Sequence, residues 1–347
     1  MTSESISEGR DAEGAGCEPS VSHLGAQWML ARVWAATSVV ICILVLTAVF
    51  GLFARVNWLA DLCANLRVQQ VIALVITIVI TVIVKRWRFL ILELMLLFVH
   101  LTWIAPAWMG RSDGASESDL VVMVTNVLTT NQQHELTVRQ IADARADVVA
   151  VLELNHALAE LLQRELESVF PHRLVVPKDS SNFGIALYSR HPMSDAERFE
   201  LNVPGIESIA ATITKDGQQY RLFATHPLPP MGRNGFQRRN DHLQQLAARV
   251  ADEQNSPGGL PTMVLGDLNV TPWSPHFDDL ESVTGLSRAG RGYGLTPTWY
   301  AKSHFAMGLI LDHVLISGDL QCVSHHVATD VGSDHRAVIV GLALQSK

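Results

Sequence analysis

Six short segments carry acid, amide or imidazole side chains at or near the ends of apolar runs. They are Asn126 in Val-Met-Val-Thr-Asn-Val, Glu153 in Val-Val-Ala-Val-Leu-Glu-Leu-Asn, His226 in Ala-Thr-His-Pro, Asp267 and Asn269 in Gly-Asp-Leu-Asn, Asp312 in Ile-Leu-Asp-His, and Asp334 with His335 in Gly-Ser-Asp-His-Arg. Ionised groups are rarely buried unless paired or metal-bound, so strands delivering them to one edge would build a polar cluster. Glu153, inside an apolar run, needs a cation, either a metal ion or the partner of a salt bridge. Asp267 and Asn269, two residues apart, suit a base that takes a proton from water and an amide that holds the attacking oxygen. An Asx-turn accounts for the same tetrapeptide. Taken singly, Asn126 also reads as a turn residue and His226 as a structural histidine. Two Asp-His dipeptides, together with Gly-Asp-Leu-Asn and a buried Glu, favour a catalytic cluster over six unrelated coincidences.

The elements that must position these groups are set by the apolar pattern. Short runs at 120–127, 148–154, 184–189, 209–214, 220–225, 262–266, 312–316 and 336–342 read as strands. Helical spacing appears in Val138, Ile141 and Ala144, in Leu158 to Leu166, and in Leu243, Leu246 and Val250. Helices interleave early and strands dominate later, which predicts an α/β domain over 119–347 with stacked sheets covered by helices.

The rest of the chain differs in kind. Of 347 residues 48% are hydrophobic and 17% charged, whereas soluble domains carry closer to a quarter charged residues. The first 110 residues hold 7 basic and 7 acidic side chains, so the net charge of −8 belongs to residues 111–347. An acidic domain argues against a protein that grips nucleic acid by its phosphates. Residues 1–24 are polar and acidic and read as a disordered tail. Within 25–109, three apolar runs predict transmembrane helices: Val33 to Phe53, a shorter one over 68–84 whose apolar part starts at Val71, and Phe89 to Trp108. The short run needs Arg67 and Lys85 to snorkel to the two surfaces, and Glu93 lies near enough to Arg88 to reach the interface. Lys85, Arg86 and Arg88 crowd the link between the second and third runs, which places that link in the cytoplasm and, with three spans, everything after Trp108 outside. Residues 110–118 form a polar linker.

Taken in order, Asn126, Glu153, His226, Asp267 with Asn269, Asp312, and Asp334 with His335 resemble the endonuclease/exonuclease/phosphatase superfamily of deoxyribonuclease I-like folds. Gly-Ile-Ala-Leu-Tyr-Ser-Arg at 184–190 and Pro-Thr-Trp at 297–299 support the likeness. The resemblance covers residues 119 to 343. It implies a four-layer sandwich, two mixed β-sheets flanked by helices, with the site at the strand ends along one edge. It also implies Mg²⁺, or Mn²⁺ in its place, held by Glu153 with Asn126 and Asp334. In the same scheme Asp267 is the general base, Asn269 orients water or phosphate, Asp312 orients His335, the His335 imidazolium contacts the scissile phosphate, and His226 is a second phosphate-contacting or acid residue. Repair enzymes of the superfamily carry an Asp two residues after the first Asn; here that position is Leu128.

The expected function is a membrane-anchored, divalent-metal-dependent phosphoesterase acting outside the cell membrane on a lipid or lipid-linked phosphate or pyrophosphate. Arg238 and Arg239, with Arg233, could meet its anionic head group, or simply form the exposed start of a helix. Three spans before such a domain also resemble VanJ-type membrane proteins of glycopeptide-resistant bacteria, which implies a polyprenyl pyrophosphate substrate. An extracytoplasmic nuclease and an inactive binding or sensing module on the same scaffold are the alternatives.

Overall fold

A computed structural model describes residues 21–110, 117–301 and 307–345, without the side chains of 21–24 and 26. The expected tail at 1–20 and most of the linker lie outside the described residues. The helix α1 (Val21–Phe50) begins inside the last residues assigned to that tail and extends through Gly51–Phe53 as a tight 3-10 turn. After it come α2 (Trp58–Asn65), α3 (Arg67–Ile83) and α4 (Trp87–Ile104).

Two stretches, Gln27–Phe53 and Trp87–Trp108, are long and apolar enough to cross a membrane. The expected middle span is different. α3 alone has 17 residues, and it joins α2 at a 63° bend, so a third span exists only if the bent pair counts as one. Of the two residues expected to snorkel, Lys85 is exposed but Arg67 is not. Arg67 is buried, with its guanidinium 4.3 Å from the centre of the Trp103 ring, because α4 covers that face of α3. Glu93 is likewise fully buried and reaches no interface.

The remainder is an α/β sandwich. One six-stranded sheet runs β13-β14-β1-β2-β4-β3, from β1 (Leu120–Asn126), β2 (Val148–Leu152), β3 (His172–Val176), β4 (Ile185–Ser189), β13 (Leu320–Val327) and β14 (Val338–Leu344). The other runs β5-β6-β7-β8-β12-β9, from β5 (Met193–Glu200), β6 (Glu207–Lys215), β7 (Gln218–Thr225), β8 (Thr262–Asp267), β9 (Ser287–Arg288) and β12 (Asp312–Ile316). Both are mixed: β1–β2 and β7–β8 are parallel and the remaining neighbours antiparallel. A short ribbon of β10 (Trp299–Tyr300) and β11 (Gly308–Leu309) stands apart.

Three apolar layers hold the sandwich together. Val122, Val124, Leu222, Leu265 and Val340 lie in the core between the sheets. Met123, Val149 and Val151 pack on the outside of the first sheet with Ile141 of α5 (His134–Asp143) and Leu158 and Leu162 of α6 (His156–Leu166). Phe223 and Val264 pack on the outside of the second with Leu243 and Leu246 of α7 (Gly232–Gln254) and Phe277 of α8 (Pro275–Thr284). Because β1 and β2 are covered on both faces, their sequences are continuous apolar runs rather than alternating ones. A fourth, smaller cluster of Ile104, Ala107, Trp273 and Ile310 joins the apolar helices to the sandwich.

Candidate active site

The ends of β1, β2, β7, β8 and β12 bring the polar residues together. After β1, β2 and β8 the backbone takes up unusual geometry that aims the side chains. Gly266 has no Cβ because Thr225 of the parallel neighbour β7 presses against it, and Asp267 comes next. Asn269 and Glu153 both adopt left-handed backbone conformations, with φ of 50° and 57°. Such geometry is costly for residues with a Cβ and concentrates at functional sites. Leu128 does the same, φ 58°, and its N–H donates to Asn126 Oδ1 at 3.1 Å. The position therefore caps Asn126 through its backbone, with no carboxylate to offer.

Asp267 is the hub. Its Oδ2 accepts from Asn126 Nδ2 at 3.1 Å and lies 3.4 Å from His226 Nε2 and 3.5 Å from His335 Nε2, while Oδ1 accepts from the Asn269 N–H at 3.0 Å. The other ring nitrogen of His335 meets Asp312 Oδ2 at 2.8 Å. Burial works against the His335 charge, but Asp312 and Asp267 outweigh it and push its pKa up to about 10. Burial likewise works against a charged Asp267, yet His335 and His226 hold it well below the usual carboxylate range. His226 is raised, its bond to Asp267 overcoming burial. Burial pushes Asp312 upward against the pull of His335. The result at neutral pH is an imidazolium clasped between two acids.

A second group lies beside the first. Glu153 Oε1 accepts from Asn126 Nδ2 at 2.9 Å, and Oε2 accepts from the Thr129 N–H at 3.2 Å. Asp334 Oδ2 accepts from Trp299 Nε1 at 2.9 Å, whereas its Oδ1 is buried with no hydrogen-bond partner. Ser333 ties the two groups together, donating to Asn126 O at 2.8 Å and accepting from the His335 N–H at 3.0 Å.

Two sets of oxygens are therefore available to a cation. Asp267, Asp312 and His335 offer ligand atoms within 4.8 Å of one another. The His335 ring is held between the two acids, and an imidazolium has no free lone pair for a metal, although Asp312 Oδ1 is buried with no hydrogen-bond partner. Glu153 and Asp334 suit a hard cation because both are carboxylates with no imidazolium between them, and Asp334, like Asp312, carries an orphaned buried oxygen that a cation would satisfy. Asn126 turns its nitrogen toward Glu153 and Asp267, so ligation through its oxygen requires the amide to flip.

The arginines differ from expectation. Arg238 is exposed, as a head-group contact must be. Arg239 is fully buried and bonds Asp61 Oδ2 of α2 at 2.6 Å, Asn240 Oδ1 at 2.6 Å and the carbonyl of Asn269 at 2.7 Å. With its donors spent inside the protein, it supports Asn269 from behind and cannot meet substrate. Asp61 Oδ1 also accepts from Ser274 Oγ at 2.8 Å, and Asn65 Oδ1 accepts from the N–H and hydroxyl of Thr271 at 2.7 and 2.9 Å. Thr129, Trp299, Ser333 and Asp61 were not singled out as site residues by sequence reasoning. Trp299 could have been, since it sits in the Pro-Thr-Trp piece; Asp61 gave no signal, being 178 positions from its partner.

Comparison with known proteins bears on the same region. A sequence profile described as "Endonuclease/Exonuclease/phosphatase family" matches residues 123–335. No curated protein matches the sequence. Among solved structures, the chain is similar to humanized D. rerio TDP2 carrying 14 mutations (TM-score 0.52, 18% identity, 65% of this chain and 98% of that one). It is also similar to the human Nocturnin catalytic domain with bound sulfate (0.54, 18%, 65% and 94%) and to sphingomyelinase C from Streptomyces griseocarneus (0.50, 19%, 65% and 99%). At such identities these likenesses speak for the fold alone.

Proposed function

The chain belongs to the endonuclease/exonuclease/phosphatase family, made up of metal-dependent phosphoester hydrolases, and from that premise we propose that it is a membrane-anchored phosphoesterase. Its substrate is a phosphate or pyrophosphate ester presented at a membrane surface, with a polyprenyl pyrophosphate the preferred candidate. The observation that carries this reading is the grip of α2 on the active-site loop: Asp61 and Asn65 bond Arg239, Ser274 and Thr271, so the segment holding Asn269 is bolted to helices of the membrane region. A site built this way works against the lipid surface to which it is fastened. The acidic balance of the domain fits a lipid phosphate better than the backbone of a nucleic acid.

In this scheme Glu153 and Asp334, with Asn126, would hold a divalent cation such as Mg²⁺, which would neutralise phosphoryl oxygens. The residues of the chain do the rest. Asp267, kept ionised, accepts a hydrogen bond from the attacking water and then its proton. Asn269 and the His335 imidazolium orient and neutralise the phosphoryl group, with His226 on the other side of Asp267. Asp312 fixes the ring of His335 and favours its charge. Water attacks phosphorus, the bond to the leaving oxygen breaks, and no covalent enzyme intermediate is needed.

The test is a substrate panel for the purified full-length protein with Mg²⁺, Mn²⁺ or EDTA, spanning lipid pyrophosphate, phospholipid, inositol phosphate and plasmid DNA. Metal-dependent release of phosphate from a lipid substrate supports the reading; rapid plasmid cleavage with no lipid turnover overturns it. The side of the membrane is tested separately by a reporter fused after Lys347, and activity confined to the cytoplasm contradicts the extracytoplasmic placement.

A further inference from the structure

A groove of about 210 Å³ lies where the apolar helices meet the sandwich. One wall comes from α3 and α4, with Val71, Ile72 and Leu101; the other comes from Trp273, Leu295 and Leu309 of the catalytic domain. The lining is mostly apolar; Gln69 donates through its amide nitrogen to the carbonyl of Gly308 at 2.8 Å, and its amide oxygen is buried with no hydrogen-bond partner. Around it Ile104, Ala107, Trp273 and Ile310 pack against one another, and a second, smaller and more polar cavity lies beyond Trp273 and Ala107 at the same junction.

Each stretch of the catalytic-domain wall continues into the site. Ile310 stands two residues before Asp312, the first residue of β12. Pro297 stands two residues before Trp299, the partner of Asp334, and Thr298 between them accepts from the Asp312 N–H at 3.0 Å. Trp273 closes the loop that starts at Asn269 and is fastened to α2 through Thr271 and Ser274. On the other side the groove borders surfaces with no protein cover: Ile72 is 40% and Leu101 43% exposed, and both belong to helices of the membrane region. An apolar groove bordered on one side by exposed residues of the apolar helices, and on the other by segments that lead into the candidate site, suits a hydrocarbon tail that carries a phosphate head group.

We propose that this groove binds the hydrocarbon chain of the phosphorylated lipid, holding the tail while the head group enters the site. The inference rests on the phosphoesterase reading for its head group, but the groove itself is testable without turnover. A second protein chain fits less well, because its binding face would have to displace lipid from the same helices.

The experiment uses the full-length protein in vesicles containing a long-chain alkyl phosphate with a diazirine near the tail end. After irradiation, adducts are expected in peptides spanning 68–72, 295–297 and 308–310, and Ile72→Trp or Leu295→Phe, which fill the groove from opposite walls, should suppress them about fivefold or more. Adducts confined to the outward faces of the apolar helices, or groove adducts unchanged in both variants, overturn the proposal. In parallel, hydrolysis of a long-chain and a five-carbon prenyl pyrophosphate is compared. The variants should lose about tenfold in kcat/KM on the long substrate and keep their activity on the short one, which also shows that they fold. Equal retention on both substrates refutes the groove and leaves the phosphoesterase reading standing. Absence of any hydrolysis by the unaltered protein sinks that reading, while the labelling still decides the groove.

Discussion

Two buried acid–cation pairs grip the Gly-Asp-Leu-Asn segment from opposite sides, and they are built from different chemistry. Asp312 and His335 reach it from within the sandwich, through Asp267. Asp61 and Arg239 reach it from the side of the apolar helices, through the carbonyl of Asn269. The first pair contains a cation that can lose its proton, beside a carboxylate that faces the reaction. The second contains a guanidinium that keeps its charge and touches only backbone and buried partners. One pair is suited to chemistry and the other to position. The difference shows how the segment can be anchored firmly while its single reactive side chain stays tunable.

Breaking the first pair should cost turnover. Asp267→Asn and His335→Ala are each expected to lower kcat about 10²- to 10⁴-fold with the fold retained, read by phosphate release and by thermal melting of the same preparations. Breaking the second should cost stability. Asp61→Ala or Arg239→Ala leaves a buried charge alone and is expected to destabilise by about 3–5 kcal/mol, whereas Asp61→Leu with Arg239→Met, which removes both charges, should recover much of that loss. If Asp61→Ala melts like the unaltered protein, α2 does not hold the segment.

Asp312→Asn sharpens the comparison further, because it keeps the ring of His335 in place while removing one of the charges that raise it. Activity that needs the imidazolium persists below a pKa of about 10 in the unaltered protein and fails above it. The variant's alkaline limb should move to lower pH; an unmoved limb would mean that His335 does not act as a cation.

The smallest effect is a linkage. His335 is raised from its ordinary 6.5, so the stability it contributes is complete below about pH 6.5 and is lost as pH rises through about 10. The difference in melting temperature between the metal-free protein and His335→Gln should therefore shrink from pH 7 to 10. The difference produced by Asp61→Ala should stay flatter over the same range, since a guanidinium, even one that burial lowers, holds its proton far more tightly than an imidazole.

Much of the first pair was legible in the sequence, and almost none of the second. Strand alternation explains why the two Asp-His dipeptides divide as they do. In β12 successive side chains point to opposite faces, so Asp312 meets His335 while His313 turns away to the carbonyl of Val270 at 2.9 Å. Burial, joined by the charge of Arg288, lowers the His313 pKa to about 3, which marks it as structural. In the second dipeptide the chain bends after Gly332, so Asp334 and His335 both reach the polar cluster. The centrally placed strands were visible because they are buried on both faces. The edge strands β3 and β5 were not, since β5, Met-Ser-Asp-Ala-Glu-Arg-Phe-Glu, is mostly exposed and reads as polar chain. Asp61 escaped notice because its meaning depends on a partner brought near only by folding. Arg239 was misjudged for the same reason: a run of arginines on a helix looks exposed until one of them proves to lie on the buried face.

The most direct test of the central claim is phosphate release from a polyprenyl pyrophosphate in vesicles by the full-length protein and its Asp267→Asn variant, with Mg²⁺ and with EDTA. The expected result is release that requires the metal and falls at least about a hundredfold in the variant. Release unaffected by both changes, or none from any phosphate ester offered, would contradict it.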